Sequence, residues 1–242
     1  MTELIRDLRL QKYPGRGILL GCHEDGLHAV IAYFIMGRSE NSRNRVFVQE
    51  GDGLRTRAFD PSLMTDPSLV IYNPVRVFGK VTIVSNGDQT DTIYEYIENG
   101  NSFESALHTR TFELDAPHYT PRISGILERR GSKFDYRLSI LKSAEGKAVR
   151  RFFFEYPQPI AGRGHLIHTY APAQAGALPS FAGEPKEVAI SGTIDSFTDL
   201  LWRSLNETNK VSLFVRFLNP RTGKIESRIV NKNRGWGLAS NP

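Results

Sequence analysis

Apolar and β-branched residues recur along the chain in short blocks closed by Gly, Asn, Asp or Pro. This pattern predicts strands at Gly17 to Cys22, Leu27 to Met36, Arg45 to Gln49, Leu69 to Tyr72, Val75 to Phe78 and Val81 to Val84. From Arg122 to Tyr156 the blocks RISGILER, KFDYRLSILK and AVRRFFFEY are separated only by the turn-forming RRGS and SAEGK, which predicts an antiparallel meander. Further strands are expected at His165 to Tyr170, Val211 to Leu218 and Glu226 to Asn231. Helical spacing is confined to three places. Thr90 to Glu98 sets Ile93, Tyr96 and Ile97 on one face and stops at Asn99-Gly100; Ser102 is placed to cap a second helix with Phe103, Ala106 and Leu107 inward; Asp195 to Glu207 carries Phe197, Leu200, Leu201 and Leu205. Strands dominate and the helices fall between groups of hairpins, so the pattern gives an α+β fold and not a regular βαβ alternation. No shift in pattern marks a boundary: residues 1–242 read as one domain, with Ala171 to Pro185 as its long loop.

Composition adds a compartment and a ligand class. With 40% hydrophobic residues in 242, the chain can bury roughly 70% of its unfolded surface without disulfides or a structural metal. Its single cysteine, Cys22, has no partner in the chain, which suits the reducing cytoplasm. The amino terminus mixes Glu3, Arg6, Asp7 and Arg9 among its apolar residues, so no secretory segment is expected, and no apolar run approaches the ~20 residues of a membrane span. The net charge of +5 rests on 22 Arg against 9 Lys. That preference for planar, fork-shaped donors points to an anionic ligand. Nucleic acid is one such anion, but RRFFFEY alternates its faces as a strand does, and no nucleic-acid motif accompanies it.

Several motifs are absent or fail. GRGILLG (Gly15 to Gly21) has the wrong glycine spacing for a dinucleotide loop and leads into a strand; a P-loop and a GxSxG elbow are missing. His165 and His168 stand three apart on a strand and face opposite ways, so they do not share a metal. Thr2 would need Met1 removed and a surrounding pocket to act as a nucleophile.

Three polar segments remain. In GRSENSRNR (Gly37 to Arg45), Arg38, Arg43 and Arg45 stand among Ser39, Asn41, Ser42 and Asn44 directly after an apolar strand, a set of donors suited to a phosphate monoester or to a solvated basic turn. In SNGDQTDT (Ser85 to Thr92), Asp88, Thr90 and Asp91 are placed to cap a helix and leave its free N–H groups to an anion. In TFELDAPHYTPRISG (Thr111 to Gly125), Glu113 and Asp115 share a face if the segment is extended, either as an acid/base pair or as partners of arginines such as Arg122.

The order GRS-x(4)-NR, IYNPVR, SNGDQTDTI, ELDAPHYTPRI and GWGLA resembles the archaeal-type IMP cyclohydrolases over most of the chain. Gln89 stands where that family's pattern has His, Phe112 replaces a Tyr, and the arginine loop carries an extra ENS. The resemblance implies a four-layer αββα fold like that of the N-terminal-nucleophile hydrolases, and closure of a purine ring without metal or cofactor. It assigns proton transfer to Glu113 and an oxyanion hydrogen bond to Tyr72 or Asn86. Substrate binding falls to Arg38, Ser39, Asn44, Arg45 and Arg122, with Asp88, Thr90 and Asp91 alongside. A purine ribotide is the implied partner, with no nucleic acid or membrane, and a homo-oligomer is expected. A purine-nucleotide sensor without turnover, or a basic nucleic-acid-binding protein, is the alternative.

Overall fold

The computed structural model describes residues 8–173, 178–233 and 235–238, the last four by backbone alone. Its strands are β1 (Arg16–Cys22), β2 (Ala29–Met36), β3 (Arg45–Glu50), β4 (Gly53–Ala58), β5 (Val75–Phe78), β6 (Val81–Ser85), β7 (Arg122–Arg130), β8 (Lys133–Ala144), β9 (Ala148–Tyr156), β10 (Arg163–His168), β11 (Lys186–Ala189), β12 (Lys210–Leu218), β13 (Ile225–Asn231) and β14 (Gly235–Leu238). Its helices are α1 (Glu40–Arg43), α2 (Gln89–Glu98), α3 (Phe103–His108) and α4 (Ile194–Ser204). The strands form two seven-stranded sheets, ordered β11-β10-β1-β2-β12-β13-β14 and β3-β4-β5-β6-β7-β8-β9, in which every strand pairing is antiparallel. The chain lays down β1 and β2 of the first sheet, builds the whole second sheet, and returns to finish the first.

Alternation along each strand sorts its side chains between two environments. Ile18 and Leu20 of β1 and Ile31, Tyr33 and Ile35 of β2 pack with Val84, Ile123, Leu127 and Leu138 of the second sheet. Their neighbours Leu19, Val30 and Phe34 meet Phe197 and Leu201 of α4 on the outer side. β2 is buried along its whole length, which is why AVIAYFIM carries no polar face. On the other outer side, Ile83, Ile126 and Leu141 meet Ile93, Phe103 and Leu107 of α2 and α3. The RRFFFEY stretch builds core as edge strand β9: Phe154 and Tyr156 pack toward the inter-sheet core and Phe153 toward α3, while Arg151 donates to the carbonyls of Leu107 and His108 at the end of α3 and of Arg110 just beyond it.

Polar contacts also join the two sheets, among them the Tyr136 hydroxyl of β8 and His165 Nδ1 of β10 at 2.7 Å. Asn231 of β13 accepts from the Phe47 amide through Oδ1 (2.7 Å) and donates to the Phe47 carbonyl through Nδ2 (2.9 Å), so its side chain pairs with the free edge of β3 as another strand would. Ser212 holds the same Oδ1 at 2.7 Å.

Some expectations are corrected. Leu69 to Tyr72 forms no strand: Val70 and Ile71 close turns on Pro67, and Thr56 holds the Val70 and Tyr72 carbonyls and the Tyr72 amide with its hydroxyl. β4 was not legible because GLRTRA alternates exposed Arg55 and Arg57 with buried Leu54 and Thr56, which leaves one large apolar residue in the run. Asp88 sits at the N-cap of α2 but makes no capping bond, since arginines claim its carboxylate; Ser102 caps α3, reciprocally with Ser105. In the long loop Tyr170 bridges Ser180 before β11, and residues 174–177 lie outside the description, as do Thr2 and Ala239. No helix among the described residues is long and apolar enough to cross a membrane.

Candidate active site

The first crossover between the sheets is the arginine loop, and most of its polar groups are consumed in holding its shape. Ser39 and Ser42 form a reciprocal cap on the single turn of α1. Asn44 ties down Asp60 through both backbone groups, donating to its carbonyl (2.7 Å) and accepting from its amide (2.8 Å). Arg45 is buried beneath the loop with Nε on the Ser42 carbonyl at 2.7 Å, and Arg43 reaches Gly37 and Asn209. Arg38 alone of the three is exposed, its guanidinium lying over the Tyr13 ring and 3.5 Å from His118 Nε2.

The second polar segment divides in the same way. Asn86 is fully buried: it accepts from the Ile123 amide (2.8 Å), donates to the Pro121 carbonyl (2.9 Å) and accepts from Gln89 (2.9 Å), fixing the entry to β7. Thr90 bonds to Ser85 and the Gly87 carbonyl, and Asp91 pairs with Arg76 on the outer side of α2. Arg122 donates to both Asp88 and Gln89 at 2.6 Å. A side chain at Gly87 would put its first carbon 2.6 Å from the Arg122 guanidinium, so Arg122 would have to shift from its carboxylate partner to admit one. Asp88 also binds Arg110, and these arginines hold its carboxyl below the ordinary range despite partial burial.

The third segment carries the centre. Residues 109–121 form no strand; Asp115 closes a turn by accepting from the Thr120 amide at 2.7 Å, and its charge still reaches Glu113. Glu113 is only 3% exposed, and Arg16 Nη2 donates to its Oε1 at 2.6 Å. Burial pushes Glu113 above the usual carboxylate range, with Arg16 and then Arg122 opposing it. Burial likewise opposes the Arg16 charge, but Glu113 foremost and the hydroxyls of Tyr170, Tyr72 and Tyr13 outweigh it and hold this guanidinium firmly protonated. Arg16 Nε is buried with no hydrogen-bond partner among the described residues. The Tyr72 hydroxyl meets that of Tyr33 at 2.7 Å, and Tyr170 bonds to Thr120 at 2.6 Å and stacks on Tyr13.

Arg16, Tyr33, Tyr170 and Tyr13 belong to this cluster without having been singled out in the sequence. The available signal was Arg16 itself, a charged residue between two glycines at the head of an otherwise apolar strand. Gly15 has φ of +82°, and a side chain there would strike Thr169 and Tyr170, so the turn that aims Arg16 inward requires glycine. The cluster straddles the sheets: Arg16 and Tyr33 come from the first, while Tyr72 and Glu113 lie on loops leading into β5 and β7 of the second.

Residues 13–223 match the family model for IMP cyclohydrolase-like proteins. The chain belongs to that family. The IMP cyclohydrolase of Methanopyrus kandleri is 33% identical over 162 residues, covering 65% of this chain and 75% of that protein. The IMP cyclohydrolase of Methanosphaera stadtmanae is 29% identical over 216 residues, covering 86% of this chain and the whole of that protein. The IMP cyclohydrolase of Halobacterium salinarum is 31% identical over 126 residues, or 50% and 60%. The matched span of the IMP cyclohydrolase-like family contains all eleven residues that the sequence put forward, together with Arg16, Tyr33, Tyr170 and Tyr13.

Proposed function

We propose that this chain closes the purine ring of 5-formamido-1-(5-phosphoribosyl)imidazole-4-carboxamide to give IMP and water, in the cytoplasm and as a homo-oligomer. The buried Arg16–Glu113 pair beside the Tyr33–Tyr72 hydroxyls carries this reading: it sets a carboxylate of raised proton affinity next to an unmatched donor, Arg16 Nε. The face-to-face sheets with helices on their outer sides support the four-layer αββα arrangement of the N-terminal-nucleophile hydrolases. The free Cys22 fits a reducing compartment.

Ring closure is intramolecular: the carboxamide nitrogen attacks the formyl carbon, and the departing water takes its oxygen from the formyl group and its hydrogens from the carboxamide and formamide nitrogens. Holding the two groups in contact removes several kcal/mol from the barrier, up to about 7–11 in favourable cases. Glu113 takes the carboxamide proton as the new bond forms and delivers a proton to the leaving oxygen. Arg16 Nε–H and the Tyr72 hydroxyl donate to the charge that develops on that oxygen, and Tyr33 orients Tyr72. An oxygen accepting from Arg16 Nε also relieves a buried donor that is otherwise unsatisfied, a penalty of ~1–3 kcal/mol. Arg38, with no carboxylate partner among the described residues, binds the ribose phosphate, and Tyr13 flanks it. Ser39, Asn44 and Arg45 shape the phosphate loop. Asn86, Asp88, Thr90 and Arg122 fix the floor near Glu113, and Asp91 anchors α2 from outside.

Turnover of the formamido ribotide, followed by ultraviolet absorbance, tests the reading; a folded chain that binds the ribotide without converting it is a sensor. Tyr72→Phe is expected to lower kcat by about 10²–10³ while leaving KM within a few fold, the cost of one oxyanion donor. Full turnover in that variant removes Tyr72 from the role. Arg38→Ala is expected to raise KM ~10–100-fold at nearly constant kcat, since a charge-assisted bond is worth about 1.5–3 kcal/mol. An unchanged KM places the phosphate elsewhere.

A further inference from the structure

At the far end of the β1–β2 hairpin, His23, Asp25 and His28 bring one donor atom each within 4.8 Å of one another. We infer that they form a binding site for a divalent transition-metal ion of the zinc class. His23 Nδ1 lies 3.0 Å, and His28 Nδ1 2.6 Å, from the same Asp25 Oδ2. The other oxygen, Oδ1, is fixed by the amides of Leu27 (2.7 Å) and His28 (3.1 Å), which leaves Oδ2 facing the two imidazoles.

The orientation of His23 is set from behind. Its Nε2 is 2.8 Å from the Gly192 carbonyl, which can only accept, so the neutral ring carries its proton on Nε2. Glu24 in turn accepts from the Gly192 amide at 2.8 Å and steadies that peptide. Nδ1 therefore presents a lone pair toward a carboxylate oxygen, with the Asp25 amide, 3.3 Å away, as its one weak donor. Two lone pairs in that position attract a cation between them, and an imidazole anchored through its second nitrogen to a backbone carbonyl is how proteins aim a metal ligand. Two imidazole nitrogens and one carboxylate oxygen favour zinc-like ions over magnesium or calcium. A tetrahedral ion with bonds of about 2.0–2.1 Å spaces its donors roughly 3.3 Å apart, so a small outward shift of His28 completes the site. Asp25 and His28 are each about one-third exposed, leaving room for a water as fourth ligand. The cations lining the same cleft are already matched, Lys224 by Glu226 and Arg228 by Asp195.

Arg16 and His23 stand seven residues apart along β1, roughly 23 Å at strand spacing, so this ion takes no part in ring closure. It joins the hairpin to the Gly192 turn that opens α4.

The test is titration of the chelator-treated full chain with Zn²⁺ alone, against a chromophoric competitor, with Co²⁺ absorbance as a report of coordination. Wild type is expected to bind one equivalent with an intense four-coordinate Co²⁺ spectrum, and its unfolding midpoint to rise with metal concentration. Asp25→Asn and His28→Gln should each weaken binding at least tenfold and abolish that spectrum while ribotide turnover is unchanged; Glu24→Gln, a neighbour but not a ligand, should keep affinity within threefold. Equal affinity in wild type and both ligand variants puts the ion elsewhere and overturns the assignment. So does a wild type that takes up no ion, which would leave a hydrogen-bonded His–Asp–His cluster only.

Discussion

Glu113→Gln is expected to lower kcat for ring closure by about 10²–10⁴ with little change in KM, the range for losing a positioned proton-transfer group. The substitution is nearly isosteric and keeps an oxygen for the Arg16 donor, so the geometry of the pair survives while its basicity does not. Because burial holds the Glu113 carboxyl above its ordinary range, wild-type turnover should rise with pH through that elevated value, and this limb should vanish in the Gln protein. Steady-state rates across the acid range check both points. A Gln variant within tenfold of wild type, or one retaining the pH limb, would show that another group moves the proton.

Arg16→Met should cost stability as well as turnover. Removing one partner of a buried pair strands the other charge, at about 3–5 kcal/mol. With Arg16 gone its opposing effect on Glu113 is lost, so the carboxyl rises further and the folded state holds the proton more tightly than the unfolded chain, where it titrates near roughly 4.3. The loss is therefore smallest in acid, where both states are protonated, and grows as pH climbs through the interval up to the folded value. Urea unfolding at several pH values measures this. Combining Arg16→Met with Glu113→Gln should recover much of the stability and none of the activity; a pH-independent loss that the second substitution leaves untouched would mean that Arg16 supports the fold by packing alone.

Strands whose two faces meet two apolar layers were legible because the sequence leaves no other place for them, as in AVIAYFIM. β4 was hidden by the arginines on its exposed face, and Leu69 to Tyr72 imitated a strand although the threonine across from it had taken its backbone groups. At the site, Glu113 stood out in a polar segment and Tyr72 came only through the family resemblance; the structure sets both around Arg16. Arg16 escaped notice because its partner lies 97 residues away and its environment, a strand head, is ordinary until the second sheet closes over it. In the arginine loop residue type suggested Arg38, Ser39, Asn44 and Arg45 for the substrate, whereas side-chain direction engages Arg45, Asn44 and Ser39 with the loop itself and leaves Arg38 exposed. Spacing along a loop carries little information about direction, whereas spacing along a strand carries it directly.

The clasp between Asn231 and Phe47 sets more than the contact of two strands. Neither sheet's own ladder of hydrogen bonds would notice if one sheet slid along the other by a residue, about 3.4 Å, yet that slip would separate Arg16 from Glu113 and Tyr33 from Tyr72. Asn231 thus serves as one alignment mark between the sheets, together with the Tyr136–His165 contact at the β8–β10 side, for a pair of groups that neither strand ladder positions by itself.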